Sequence, residues 1–184
     1  VTAVSRDPAA LDGRYTSTAR ADVFEPATVA TAVAGADVVV SAAGHAASLD
    51  DAGFYVRAAE SLVAALRSLG NLRPRLIVVG GFGALRTASG TQWADEDAIP
   101  EQARPEIAGQ RDALNYYRTV GDIRWTYFSP PPGGIPSGTR TGSYRIFSDT
   151  MADQSRVTAE DFAVAIVDEA ENAECLFCCV SVAS

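Results

Sequence analysis

The segment Asp37-Val38-Val39-Val40-Ser41-Ala42 is a continuous β-branched run with no polar alternation. Such a run is expected where helices cover both faces of a strand, as in a parallel sheet. Similar runs recur at Val1-Thr2-Ala3-Val4, Leu76-Ile77-Val78-Val79 and Trp125-Thr126-Tyr127-Phe128, and a second short strand is expected to end at Ala21-Asp22-Val23. Helix-patterned stretches separate them. Asp7 and Pro8 read as the N-cap and first position of a short turn. Pro26 opens a helix with Val29 and Val33 on one face and Gly35 beyond its end. From about Asp51 to Leu69, the residues Tyr55, Ala58, Ala59, Leu62, Val63, Leu66 and Leu69 follow a helical stripe ended by Gly70-Asn71, and another helix is expected from about Pro105 to Val120.

Strands alternating with helices in this order predict right-handed βαβ crossovers and an α/β, Rossmann-like, doubly wound parallel sheet. No internal repeat or linker marks a second domain, so residues 1–184 are read as one domain with a small substrate-side annex at about 131–184. That annex holds a strand at Ser143-Tyr144-Arg145-Ile146-Phe147, a helix capped by Thr158, and a last strand over Cys175–Val182.

Composition excludes much chemistry. All 15 basic residues are arginine and His45 is the sole histidine. Schiff-base enzymes, Gly-Lys phosphate loops and reductases with a Tyr-x-x-x-Lys pair all need the ammonium this chain lacks. A net charge of -8 argues against a nucleic-acid surface, since that binding draws on clustered cations. Apolar runs fall far short of the roughly 20 residues that span a bilayer, and no signal series opens the chain, so a cytoplasmic location without membrane contact is expected. Cys175, Cys178 and Cys179 make an odd count, read as reduced thiols rather than a secreted disulfide framework or a metal knuckle. No metal site is expected, and Asp95-Glu96-Asp97 reads as a solvated loop.

In a doubly wound sheet, ligands bind beyond the carboxyl ends of the strands. Those ends carry Ser5-Arg6, Asp22-Val23, Ala42-Ala43-Gly44-His45, Gly80-Gly81-Phe82-Gly83 and Ser129-Pro130-Pro131. Small residues recur there, as a flat cofactor approaching backbone requires; singly, each also serves a tight turn. Arg6 is the most informative, because a guanidinium just beyond an early strand can grip a ribose 2'-phosphate, whereas an acid there would bind a free 2'-hydroxyl. With the Ser5 hydroxyl it favours NADP(H) over NAD(H). The alternative is a surface arginine paired with Asp7.

In order and spacing, Val4-Ser5-Arg6-Asp7-Pro8, Ala21-Asp22-Val23, Val38 to Gly44, Val78 to Gly83, Trp125 to Pro130, Thr141-Gly142-Ser143-Tyr144-Arg145 and Arg156 to Ala163 resemble the NmrA-like, NAD(P)H-binding group of atypical short-chain dehydrogenase/reductases. The resemblance implies that Arg6 meets the 2'-phosphate, Asp22-Val23 the adenine edge, Ala42-Ala43-Gly44 the ribose and diphosphate, and Gly80-Gly81 with Ser129-Pro130 the nicotinamide. That family opens with a strand and a Gly-x-x-Gly-x-x-Gly turn, and no such residues precede Val1. The chain therefore reads as truncated, lacking its first, central strand and glycine-rich turn, which would leave the Val1 to Val4 and Val38 to Val40 strands without the neighbour they share, with weak folding and weak NADP(H) binding expected of this fragment alone.

Tyr116 and Tyr117 lie in the helix that carries the classical acid, but Val120 and Gly121 stand where its lysine would be. Helix packing is the plainer role for these tyrosines. His45 is a weak catalytic candidate, poised either at the cleft or simply in a loop. No Gly-x-Ser-x-Gly elbow supports a hydrolase. Two activities fit: an NADP(H)-dependent oxidoreductase passing hydride to a small acceptor, which the resemblance extends to quinones or flavins, and a non-catalytic NADP(H) sensor with a protein partner.

Overall fold

The computed structural model describes residues 1–11, 13, 15–44, 51, 53–95, 99–151 and 156–184. Its strands are β1 (Thr2–Ser5), β2 (Ser17–Arg20), β3 (Val38–Ser41), β4 (Arg75–Val79), β5 (Trp125–Ser129), β6 (Arg145–Ser148) and β7 (Cys178–Ala183). Its α-helices are α1 (Pro26–Val33), α2 (Phe54–Ser68), α3 (Arg104–Arg118) and α4 (Ala159–Asn172). β1 and β2 form a parallel pair, and the other strands form a second sheet in the order β3-β4-β5-β7-β6. Every pairing in it is parallel except that of β6 with β7, where Ile146 faces Val182.

Among the described residues β1 pairs only with β2 and β3 only with β4, so each keeps one edge without a ladder. The open edges of β1 and β3 agree with the expectation that the Val1 to Val4 and Val38 to Val40 strands lack a shared neighbour. The run Val38-Val39-Val40 is only partly buried, and Val40 keeps 45% of its surface because β3 is an edge strand. The fully covered stretches are β4 over Arg75–Ile77, all of β5, and β7 over Cys179–Ala183.

Strand periodicity divides the interior. Leu76, Trp125 and Tyr127 face the core beneath α1, α2 and α3, contributed by Val29, Val63, Leu66, Leu114 and Tyr117. The alternate residues Ile77 and Phe128 pack with Phe162, Ala165, Val180 and Val182 on the α4 side. Helices thus cover both faces, as the order of elements requires.

Local signals set the boundaries. Asp7 accepts a hydrogen bond from the Ala9 amide ahead of the 3-10 turn Pro8–Ala10. Gly35 at φ +79° ends α1, in the left-handed region that costs a glycine little. Thr158 caps α4 by accepting from the Asp161 amide at 3.1 Å. β2 stops at Arg20, so Ala21-Asp22-Val23 lie beyond it rather than at its end. The last strand starts at Cys178, because Leu176 and Phe177 form a turn.

Candidate dinucleotide-binding site

The carboxyl ends of β1, β2 and β3, with the start of α2, enclose a cleft of about 360 Å³. Ser5, Arg6, Asp22, Val23, Ala42, Ala43 and Gly44 line it, so the residues named for the adenine, ribose and phosphate portions come together. Val4, Ala21, Phe24, Asp51 and Phe54 complete the wall. Its volume lies in the range of small-molecule sites.

Arg6 is exposed and has no ion-pair partner among the described residues. Asp7, its alternative partner, instead caps the following turn. Ser5 Oγ accepts from the Asp7 amide at 3.2 Å, which leaves its O–H as a donor beside the guanidinium. Asp22 Oδ1 accepts from the Phe24 amide at 3.0 Å, and the Asp22 amide donates to Thr28 Oγ1, fixing the turn that carries Val23 and Phe24. The Phe24 and Phe54 rings meet edge-on at 5.1 Å, and the Arg57 guanidinium stands 5.4 Å from the Phe24 centroid while paired with Asp51. Sequence reasoning missed this aromatic wall. Its one signal was Phe24, a large aromatic immediately after a named ligand pair.

The other candidates form a separate group at the ends of β4 and β5. Ser129 is fully buried and donates from Oγ to the Gly81 carbonyl at 3.0 Å, so it positions backbone rather than reaching open space. Pro130 follows it, and the Gly80 amide bonds the Phe128 carbonyl at 2.8 Å. Packing by itself requires Gly80 and Gly81 to be small. A Cβ on Gly80 would lie 1.9 Å from Tyr127 Cζ, and one on Gly81 would lie 1.5 Å from Gln110 Oε1. At Gly44, in contrast, a Cβ would meet nothing within 4 Å, so that stretch of backbone is open. Ala43 borders both the large cleft and a smaller cavity of about 20 Å³ lined by Tyr55, Gly80 and Tyr127.

Tyr127 Oη donates to the Gln110 carbonyl and accepts from the Gly81 amide. Tyr55 Oη donates to Glu106 Oε1 at 3.0 Å, and the Gln110 amide reaches the same oxygen, a polar link across α2 and α3 beside Gly80 that the sequence did not announce. Tyr117 is buried against Trp125 and Tyr127, and burial raises its pKa far above that of a free phenol. It packs the core rather than moving protons at neutral pH. Burial also raises the pKa of Tyr116. His45 lies outside the described residues, as do Glu96 and Asp97; Asp95 pairs with Arg111 at 2.7 Å. Among the described residues no group of three or more His, Cys, Asp or Glu side chains could hold a metal, and no helix is long and apolar enough to cross a membrane.

A dinucleotide fits these residues: an unpaired guanidinium beside a hydroxyl donor, open backbone at Gly44, and an aromatic and small-residue wall, all beyond parallel strand ends. Fold and site together define an α/β dinucleotide-binding protein of the Rossmann class. The chain belongs to the NAD(P)H-binding family, whose model matches residues 1–173. It is 31% identical over 180 residues to the uncharacterized protein YwnB of Bacillus subtilis, covering 95% of this chain and 82% of that one. Among solved structures it resembles a "putative exported protein" from Burkholderia pseudomallei, with 37% identity and a TM-score of 0.86 over 100% of this chain and 87% of the other. It also resembles a "putative NADH-flavin reductase" from Streptococcus pneumoniae, with 26% identity and a TM-score of 0.85 over 100% and 86% of the two chains.

Proposed function

We propose that this protein is an NADP(H)-dependent oxidoreductase of the atypical short-chain type, close to the NmrA-like group, that passes hydride to a small electron-poor acceptor such as a flavin or quinone. The observation that carries the reading is Arg6, a guanidinium without a carboxylate partner beside the Ser5 hydroxyl at the rim of the main cleft. Its planar fork suits a 2'-phosphate dianion. The likeness to a protein described as an NADH-flavin reductase supports the acceptor class.

When bound, the nicotinamide ring supplies the hydride. The chain's own residues align and shield. Asp22 and Val23 edge the adenine, with Phe24 as an apolar surface beside them. Ala42, Ala43 and Gly44 let the ribose and diphosphate lie against backbone. Ser129 holds the Gly81 carbonyl and Tyr127 holds the Gly81 amide, so the backbone beneath the nicotinamide is fixed from two sides. Alignment is the main requirement for hydride transfer to an acceptor that takes its proton from solvent.

Titration calorimetry with NADPH and NADH, followed by NADPH oxidation over a flavin and quinone panel, tests the proposal. Tighter binding of NADPH with turnover of at least one acceptor is expected. Equal binding of both nucleotides would remove the role given to Arg6. Binding without turnover across the panel would favour the non-catalytic sensor.

A further inference from the structure

At the amino end of β5, opposite the strand ends that form the cleft, lies Cys175-Leu176-Phe177-Cys178. Leu176 and Phe177 make a turn, with Phe177 at φ +57°, a left-handed conformation uncommon for a bulky residue. The Phe177 amide bonds the Trp125 carbonyl, and its ring meets Trp125 edge-on at 6.3 Å. The turn is thereby fastened to the sheet. Its two flanking cysteines, both free and half-buried, stand at the two ends of the turn.

The surroundings hold Cys175 in place. Its amide donates to both oxygens of the buried Glu169 carboxylate at 3.3 and 3.1 Å, and its carbonyl accepts from Thr126 Oγ1. Cys178 sits opposite Thr126 in the β5–β7 ladder. Among the described residues no third ligand joins the pair, so a tetrahedral metal site is not assembled.

We propose that Cys175 and Cys178 are a thiol–disulfide site, closed by exchange with a low-molecular-weight disulfide such as glutathione disulfide. One cysteine thiolate attacks the small disulfide, forming a mixed disulfide and expelling one thiol. The second cysteine gives its proton to solvent, attacks the protein sulfur and expels the other thiol. Two protein thiols lose two electrons and two protons, and the small disulfide gains them as two thiols. The ends of a tight turn generally lie within about the Cα separation a disulfide needs.

Burial raises both thiol pKa values, Cys178 up to about 12, and the Glu169 carboxylate adds to the rise at Cys175. Few thiolates are present near neutrality, so closure is slow. The same environment gives the reduced form no thiolate stabilisation, and the closed bridge resists reduction. Cys179, buried beside Ser129, stays outside the pair.

The test is incubation of the native full chain with glutathione disulfide at mildly alkaline pH, then intact mass, peptide mapping after alkylation, and thermal melting. The expected result is a loss of two hydrogens in mass, a Cys175–Cys178 linked peptide, free Cys179, reversal by dithiothreitol, and a melting temperature raised by a few degrees. C175S should abolish the mass change. NAD(P)H binding should not move, because the cleft is at the other end of the strands; the outcome is therefore separate from the proposed activity. An unchanged mass, a persistent single glutathione adduct, or a bridge that includes Cys179 would overturn the proposal. The mapping of the unsubstituted chain stands even if a cysteine variant fails to fold.

Discussion

Arg6 and Asp161 show how one charge can serve a ligand or a fold according to what surrounds it. Arg6 is exposed and forms no ion pair among the described residues, so its strength is available to an anion. Replacing it with alanine should weaken NADPH binding by about 1.5–3 kcal/mol, roughly 10- to 100-fold, the range of a charge-assisted hydrogen bond. NADH binding should change by far less, and calorimetry with both nucleotides reads the difference directly. Asp161 is the opposite case. It is buried and accepts from the Thr141 amide, the Thr141 hydroxyl and the Gly142 amide, tying the segment before β6 to the first turn of α4. These donors hold its carboxyl below the usual carboxylate range. Its contribution is complete above the unfolded carboxylate pKa and is lost as pH falls through the lower folded value. Hydrogen exchange at Thr141 and Gly142 should therefore accelerate below about pH 4, and D161A should show the same acceleration at neutral pH.

Among the elements, β4 and α4 are joined by a buried ion pair. Arg75 donates to the Glu169 carboxylate and to its carbonyl, while Thr126 and the amides of Glu174 and Cys175 complete the carboxylate's shell. Removing one partner strands the other charge. E169A should cost about 3–5 kcal/mol in urea unfolding, whereas replacing Arg75 and Glu169 together with apolar residues of similar volume should cost much less. Sequence pattern did not reveal this pair, because an arginine opening a strand and a glutamate late in a helix both read as surface. Patterning did reveal what depends on local chemistry: the Asp7 and Thr158 caps, the glycine after α1, and the apolar stripe of α2. It placed seven site residues in one cleft because strand ends are local features. It did not show the packing reason for the small size of Gly80 and Gly81, whose neighbours Tyr127 and Gln110 come from distant elements. The exposure of Val40 in β3 follows from the open edge of that strand, since whether a β-branched run is central or at an edge depends on what lies beside it.

Over the whole molecule, ionisable groups that stay neutral in the interior set the alkaline limit. Tyr117 and Tyr127 are buried with raised pKa values, and burial takes Cys178 and Cys179 to about 12 from 9.0. For an acid whose folded pKa is raised, the unfolded chain releases its proton first as pH rises. The stabilisation is therefore complete below the unfolded value, 9.0 for the thiols, and is lost as pH climbs toward the folded value near 12. Asp122 acts at the other extreme: its pairing with Arg67 lowers its pKa to about 2 from 3.8, and what it contributes disappears only across that acid interval. Folding stability should thus be flat from about pH 5 to 9, and the alkaline fall should be the steeper, since the two tyrosines and two thiols titrate there together. Urea midpoints read by circular dichroism from about pH 2 to 11 would check the shape. C179A isolates one thiol: it should flatten the alkaline limb while leaving the acid limb unchanged, and an unaltered alkaline slope would assign that limb to the tyrosines and Cys178.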